Sequence, residues 1–374
     1  MMNDSVLAAY FDLETDQGPL HARAVADIGR RYLAGRLLPP YQVVTSGNFR
    51  QSLAVAFPRW AHVHDPRGLP EPSRSAAWAL LCQELNDWDS LEDSRCLSVA
   101  KVLARLGFWH TLAGLAPARN GDPESLVHVR LEILHYTAAQ VTRGMAPNLA
   151  ARTTELLVRV AENHRFPANA RLSAAINLLV KHARSDRTMS EMLHWQNAAE
   201  RLMGDPPEGG FSALMLSACW RGMSFVPFFL SDHSEVRRQL DLSEHYARLE
   251  SADSVQGAYL HPENLRFVLI SQSKAAEAAG DRRTAELYLR KVVRLDPLDT
   301  ASHVLLADNL VISDRLALAR RSYRTAAGLG GPYASYAAAQ MARLSNRPAT
   351  MSQRTAKGDE GAKLLWSRST SSAL

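Results

Sequence analysis

The stretch RFVLISQSKAAEAAGDRRTAELYLRKVVRLDPLD, residues 266–299, decides the fold of this 374-residue chain. The following stretch, residues 300–333, repeats its pattern at a spacing of 34 residues. The corresponding positions are Gly280 with Asp314, Ala285 with Ala319, Leu289 with Tyr323, and Pro297 with Gly331. A repeat of this length is one pair of helices, which buries its apolar face against a neighbouring pair. We therefore predict that the C-terminal part of the chain is a stack of helix pairs.

Helical periodicity continues outward from this repeat, back to Ser75 and forward to about Leu344. The breaks are short, and we find no strand pattern after residue 60, so neighbouring helices are expected to be antiparallel. The predicted helices are 76–88, 91–106, 123–142, 148–164, 168–184, 188–203, 211–226, 233–250, 263–279, 282–295, 300–312, 315–328 and 333–344. This pattern predicts an all-α chain built as an α-solenoid, with consecutive pairs stacked on one another.

Capping signals support several of these boundaries. Asp122-Pro123 places a capping side chain before a first-turn proline. Asn148, Asp281 and Asp299 are capping residues at the starts of three further predicted helices.

The chain divides into four parts by composition. Residues 1–75 form an irregular N-terminal segment, which ends in the proline-rich stretch 65–75. Residues 76–262 are a helical array without a clear repeat, and residues 263–345 contain the repeat itself. Residues 346–374 are predicted to be a disordered basic tail.

The net charge of +5 does not indicate a nucleic-acid partner. Residues 346–374 hold five basic and two acidic side chains, so they contribute +3 and leave +2 for the rest of the chain. A nucleic-acid interface needs cations clustered on one face, whereas the arginine pairs here are spread along the chain and flanked by acids. We predict solvated helix faces and no nucleic-acid binding.

One apolar stretch, Phe211–Leu230, is long enough to span a bilayer. Arg221 stands at its centre and Pro227 near its end, and a charge at mid-bilayer costs roughly 3 kcal/mol or more. We therefore predict a buried helix and no membrane partner. The N-terminus lacks the pattern of a signal peptide, and three scattered cysteines fit a reducing compartment, so we predict a cytoplasmic protein.

Residues 266–344 resemble the tetratricopeptide repeat superfamily. Small side chains stand where the two helices of each pair approach closely, and larger apolar ones stand where the core is filled. These positions are Ser273, Ala285 and Leu289 in the first copy, and Ala307, Ala319, Tyr323 and Ala326 in the second. The resemblance implies a right-handed superhelix of helix pairs, closed by a further helix at 333–344.

The resemblance also implies a concave groove that holds a peptide or another protein. The positions implied to face this groove are Phe267, Ile270, Lys274 and Glu277 on one helix, and Ala301, Val304, Asp308 and Val311 on the next. The carboxylate clamp of this family needs several Lys, Arg and Asn side chains in the groove, and only Lys274 is present. The implied groove is therefore a mixed, largely apolar protein-binding surface.

Two Glu-x-x-His motifs favour an alternative function. Glu132 and His135, like Glu191 and His194, share one helix face, and helix bundles that hold two metal ions use this motif twice. Chance alone gives about 0.6 such motifs in a chain of this composition, so two carry little weight. The alternative is a helical enzyme or oxygenase component with a metal site on these residues.

Two smaller motifs have simpler interpretations. His62-x-His64 follows an apolar segment and has the spacing of a zinc site, but the chain lacks the strands that such sites need. We predict a packed turn there. The aromatic group at residues 108–110 follows the end of a predicted helix at Gly107, and core packing is favoured for it.

The sequence as a whole favours a non-catalytic scaffold or adaptor that binds a protein or peptide. We find no Gly-x-Ser-x-Gly motif and no phosphate-binding glycine loop after a strand, and we expect no cofactor.

Overall fold

The computed structural model describes residues 64–68, 76–106, 108–115, 122–143, 147–185, 187–249, 257–295, 299–329 and 333–345. Every regular element in these ranges is a helix, which confirms the all-α prediction for this part of the chain. Most of the predicted N-terminal segment and the whole of the predicted tail, residues 346–374, lie outside the described residues.

The helices are short and follow one another closely. They are α1 (Ala76–Asn86), α2 (Asp93–Leu106), α3 (Trp109–Gly114), α4 (Leu126–Arg143), α5 (Pro147–Glu162), α6 (Ala168–Arg184), α7 (Met189–Gly204), α8 (Ala213–Met223), α9 (Phe225–Phe229), α10 (His233–Leu249), α11 (Gly257–Ala278), α12 (Arg282–Leu295), α13 (Thr300–Ile312), α14 (Leu316–Leu329) and α15 (Ala334–Ser345). Single 3₁₀ turns occur at Pro66–Gly68 and Trp88–Ser90.

Three stretches differ from the predicted helices. Helix α11 begins at Gly257, six residues before the predicted start at 263. The aromatic group at 108–110 leads into a further short helix, α3, and Phe108 is buried in the core formed with α1 and α2. The predicted helix 211–226 is divided, because α8 ends at Met223 and the one-turn α9 follows it. Pro227 lies inside α9, where its missing N–H prevents a longer continuous helix. None of the described helices has the length and the apolar content needed to cross a membrane.

Neighbours in sequence are neighbours in space. From α4 to α7 each helix packs on the next, and the same holds from α10 to α15. The helix α8 joins these two runs, since it contacts α6 on one side and α10 and α11 on the other. Separate apolar cores lie under α1–α4, under α4–α9 and under α12–α15.

The predicted interior positions of the 34-residue repeat are buried. Ser273, Ala285, Ala307, Ala319 and Ala326 are inaccessible to solvent. Small side chains at these positions let α11 approach α12 and α13 approach α14, the two closely packed pairs of this region.

The predicted caps are confirmed at two helix starts and corrected at two others. Asp281 accepts a hydrogen bond from the Thr284 backbone N–H at 3.0 Å, and Asp299 accepts one from the Ser302 N–H at 3.0 Å. Asn148 lies inside α5, which already begins at Pro147. Asp122 instead accepts a hydrogen bond from the Glu124 N–H in the turn before α4.

The helix α8 lies unusually close to both of its neighbours. Ser217 and Ser243 exchange two hydrogen bonds across α8 and α10, each hydroxyl donating to the other's backbone carbonyl at 2.7 Å. On the opposite side, the Cα of Gly222 packs directly on Ile176 of α6. These contacts fix the orientation of the remaining α8 side chains, among them Trp220 and Arg221.

Candidate functional site

The four predicted groove positions on α11 are half-buried, and the two charged residues among them pair with each other. Lys274 and Glu277 form an ion pair at 3.0 Å. Glu277 also accepts a hydrogen bond from the Asn309 amide at 3.3 Å, which ties α11 to α13. Ile270 packs against the apolar core, whereas the ring of Phe267 lies beneath arginine side chains. The charged pair is therefore engaged within the protein.

The predicted groove positions on α13 need correction. Val304 is completely buried, Ala301 is nearly so, and Val311 packs at the edge of the core. Ten of the 13 residues of α13 are buried. The helix packs between α12 and α14, and it is apolar on nearly all sides. This helix therefore forms part of the core and does not line an open surface.

Asp308 is the clearest example of this correction. Its carboxylate accepts hydrogen bonds from the hydroxyl of Tyr323 on α14 and, at 3.3 Å, from that of Tyr336 on α15. Burial raises the pKa of Asp308 to about 6, although the two hydroxyl donors favour the charged form. The residue is a polar junction among three helices.

This raised pKa predicts a specific pH dependence for Asp308→Asn. An unfolded aspartate titrates near pH 3.9, so between about pH 4 and 6 the folded state binds more protons than the unfolded state. The wild-type stability should therefore fall, relative to the variant, by about 2 kcal/mol as the pH rises from 4 to 7. Urea unfolding of both proteins at pH 4 and pH 7 measures this; an equal wild-type–variant difference at both pH values would contradict it.

The two Glu-x-x-His motifs have different surroundings. Glu132 lies 3.6 Å from the Arg152 guanidinium of α5. Burial lowers the pKa of His135, although the backbone at Leu112 and Leu115 favours the charged form of its ring. Glu191 and His194 are exposed on α7. In the described part of the chain, no group of three or more His, Cys, Asp and Glu side chains is arranged as a metal site.

The His-x-His segment is described only from His64 onward, so His62 lies outside the described residues. The ring of His64 packs on that of His110 at 4.2 Å, and its carbonyl accepts a hydrogen bond from Thr111 at 2.5 Å. For the described residues, this is the packed turn that the sequence predicts.

A pocket of about 530 Å³ opens between α7, α8 and α10. We call it the Trp220 pocket. Its wall is largely apolar and aromatic, and Glu200 adds a carboxylate. The apolar side chains that define it are Met203, Phe211, Leu216, Trp220, Met223 and Tyr246. Pockets of this size and composition are typical of binding sites for small molecules or for anchoring side chains.

The loop between α7 and α8 holds this pocket open. Gly209 and Gly210 both adopt positive φ angles, of 86° and 73°, which reverse the chain after α7. Ser212 then caps α8 by accepting a hydrogen bond from the Met215 N–H at 3.2 Å. The loop thus leaves a gap between the end of α7 and the start of α8 that no side chain of the described residues fills.

The polar groups around the Trp220 pocket are held in place. The Arg238 guanidinium lies 5.5 Å from the centre of the Trp220 ring and donates two hydrogen bonds to Glu235, at 2.6 and 2.7 Å. Glu200 accepts a hydrogen bond from Gln196 at 2.7 Å. The pocket therefore has a fixed aromatic wall and one oriented carboxylate.

Sequence reasoning did not find this pocket. The composition of Phe211–Leu230 indicates a membrane or core helix and gives no indication of a pocket. A usable signal was the cluster of aromatic and methionine residues directly after the glycine-proline loop at 204–210.

No family model matches this chain, and no curated protein shows significant sequence similarity to it. The resemblance to tetratricopeptide repeats is therefore supported only by the sequence pattern of residues 266–344. A functional proposal for this chain has to come from the geometry of its own surface.

Proposed function

We propose that this chain is a non-catalytic binding protein that holds a peptide segment of another protein, with the Trp220 pocket as the receptor for an apolar anchor side chain. The observation that carries the proposal is the pocket itself, an aromatic recess of about 530 Å³ bounded by three helices. Protein interfaces concentrate their binding free energy where such an anchor enters a pocket.

The composition of the pocket wall supports a peptide anchor. Trp220, Tyr246 and Phe211 offer flat faces for an aromatic or branched aliphatic side chain. Met203 and Met223 are flexible and polarisable, so the pocket can adjust to the shape of the anchor. Glu200 can accept a hydrogen bond from the peptide backbone or from a polar group beside the anchor.

This proposal places the binding surface outside the repeat region, where the sequence implies a groove. The α13 positions are part of the core, so the proposed binding surface moves from α11 and α13 to α7, α8 and α10. The expected kind of partner, a protein or a peptide, stays the same.

Peptide selection tests this proposal. We expect a displayed library of random 12-residue peptides to yield binders that share an aromatic or branched aliphatic residue. Trp220→Ala should weaken their binding at least about 30-fold, because the loss of a buried aromatic contact at an interface is worth about 2 kcal/mol or more.

Two further variants make this test decisive. Phe211→Ala alters the pocket from the side of the α7–α8 loop and keeps the test valid if Trp220→Ala does not fold. Leu287→Ala removes an equally apolar side chain that is 54% exposed on α12, away from the pocket, and should leave affinity within twofold. Selected peptides that bind all three variants as they bind the wild type would refute the assignment of the pocket.

A further inference from the structure

The residue after Trp220 lies on a different face of α8. Successive side chains on a helix are about 100° apart, so Arg221 does not point into the Trp220 pocket but toward α11. Its guanidinium lies 5.4 Å from the ring centre of Phe267 on α11. It is also near Arg184 of α6, whose pKa falls to about 9 because of burial and then because of the charge on Arg221. We call Arg221 together with Arg184 and Phe267 on either side of it the arginine crevice.

The Arg221 side chain is partly buried. Burial lowers the pKa of its guanidinium to about 10, which leaves it charged at neutral pH. The Nε–H is shielded from solvent and has no hydrogen-bond acceptor among the described residues. No carboxylate in the described part of the chain forms an ion pair with Arg221. The side chain as a whole still keeps part of its surface accessible.

The neighbouring Arg266 provides a comparison, because its charge is balanced by a carboxylate of the same chain. Its guanidinium also lies over the Phe267 ring, at 5.3 Å from the ring centre. It is paired with the buried carboxylate of Asp299. The same ring thus carries one arginine with an internal carboxylate partner and one without. A guanidinium that has no carboxylate partner can still bind one, so the difference points to an external anion.

We infer that the arginine crevice binds a carboxylate side chain from an acidic segment of the partner peptide. A guanidinium binds a carboxylate through two parallel N–H···O hydrogen bonds, and Arg184 is close enough to Arg221 for the two charges to interact. The inference rests on the proposed function only in taking the ligand to be a peptide. It concerns a face of α8 other than the one that lines the Trp220 pocket, so the two can fail independently.

A titration with a model acidic peptide tests the inference. The probe is a fluorescein-labelled hexaglutamate peptide with both ends blocked, and hexaglutamine is its neutral control. We expect the full-length protein to bind hexaglutamate and not hexaglutamine. Arg221→Met should weaken binding at least tenfold, and Arg184→Met provides a second variant if the first does not fold. Arg237→Gln removes an arginine whose side chain is 85% exposed, and should change the affinity less than twofold.

Three results would overturn the inference. The first is equal binding by Arg221→Met and Arg237→Gln, which would mean a general effect of charge. The second is a Tm of Arg221→Met several degrees below that of the wild type without peptide, which would mean that the guanidinium already has a partner within the chain. The third is saturable binding of inorganic phosphate without binding of hexaglutamate, which would make the crevice a small-anion site.

The same titration separates this inference from the proposed function. Trp220→Ala should bind hexaglutamate as the wild type does, because the probe has no apolar anchor. Loss of selected peptides in Trp220→Ala together with unchanged hexaglutamate binding in Arg221→Met would support the pocket and refute the crevice.

Discussion

Gly222→Val should lower the free energy of unfolding by about 3 kcal/mol, which places it among the most destabilising single substitutions of this chain. A Cβ atom at Gly222 would lie 2.7 Å from Cγ2 of Ile176 and 3.5 Å from Cγ2 of Val180. Both partners are on α6, whose core side is close-packed, so α8 can accept a larger side chain only by moving away. Urea unfolding followed by circular dichroism measures the loss.

Alanine substitutions at two helical glycines provide the matched control. Gly328 lies in α14, where a Cβ atom would meet nothing within 4 Å. Gly328→Ala should stabilise the protein by about 0.5–1 kcal/mol, the usual gain in helix propensity. Gly222→Ala has the same gain but adds the clash, so it should be destabilising. A stabilising Gly222→Ala would show that the two helices are not in close contact there.

A double variant tests the cause of this effect. Ile176→Ala removes the atom that a Cβ at Gly222 would meet. The combination of Ile176→Ala with Gly222→Ala should be more stable than the sum of the two single effects, by about 0.5–3 kcal/mol.

Asp299→Ala should lower the free energy of unfolding by about 3–5 kcal/mol. The buried Asp299 carboxylate accepts hydrogen bonds from the Ser302 N–H and hydroxyl at the start of α13 and pairs with Arg266 of α11. The substitution removes a helix cap and leaves the guanidinium of Arg266 without this carboxylate in a buried place. Thermal and urea unfolding of the variant measure the effect.

The control is the same substitution at an exposed cap. Asp281 caps α12 through the Thr284 N–H at 3.0 Å but makes no buried ion pair. Asp281→Ala should therefore cause a clearly smaller loss than Asp299→Ala. Losses of equal size would mean that the ion pair with Arg266 contributes nothing beyond the cap.

Acidification should reduce the effect of Asp299→Ala. The Arg266 charge and the Ser302 donors hold the pKa of Asp299 below its usual range despite the opposing effect of burial. Its stabilisation is therefore complete above the unfolded pKa of about 3.9 and is lost as the pH falls through the folded pKa. This sign is opposite to that at Asp308, where the folded pKa is raised. The two carboxylates, nine residues apart on one helix, should thus have opposite pH dependences.

The contrast between Asp299 and Asp308 shows which side-chain roles could be predicted. Asp299 stands directly before a helix, so its capping role follows from local sequence. Asp308 is in the middle of a helix, and its position in the repeat implies a side chain that faces the groove. Its burial depends on Tyr323 and Tyr336, which reach it from 15 and 28 residues away. Side-chain contacts over such distances are set by how the helices pack.

The candidate sites follow the same division. Arg221 and Trp220 are adjacent in an apolar stretch, and their sequence indicates only that one is charged and one aromatic. The course of the loop at 205–212 and the close contact of Gly222 with α6 turn Trp220 to the pocket and Arg221 to Phe267. The repeat pattern contains no information about this orientation, since α8 lies before the repeat.

The sequence by itself determined that the described chain is helical, where most of the helices begin and end, and which small residues let the two helices of each repeated pair approach closely. These properties depend on periodicity, caps and turn residues within a few positions of one another. Only the tertiary structure decided which helix faces are enclosed, which charges are compensated and where the surface is recessed. Burial and the pairing of charges depend on neighbours from other helices, so the pocket at Trp220 and the crevice at Arg221 appear only when α8 is packed between α6, α10 and α11.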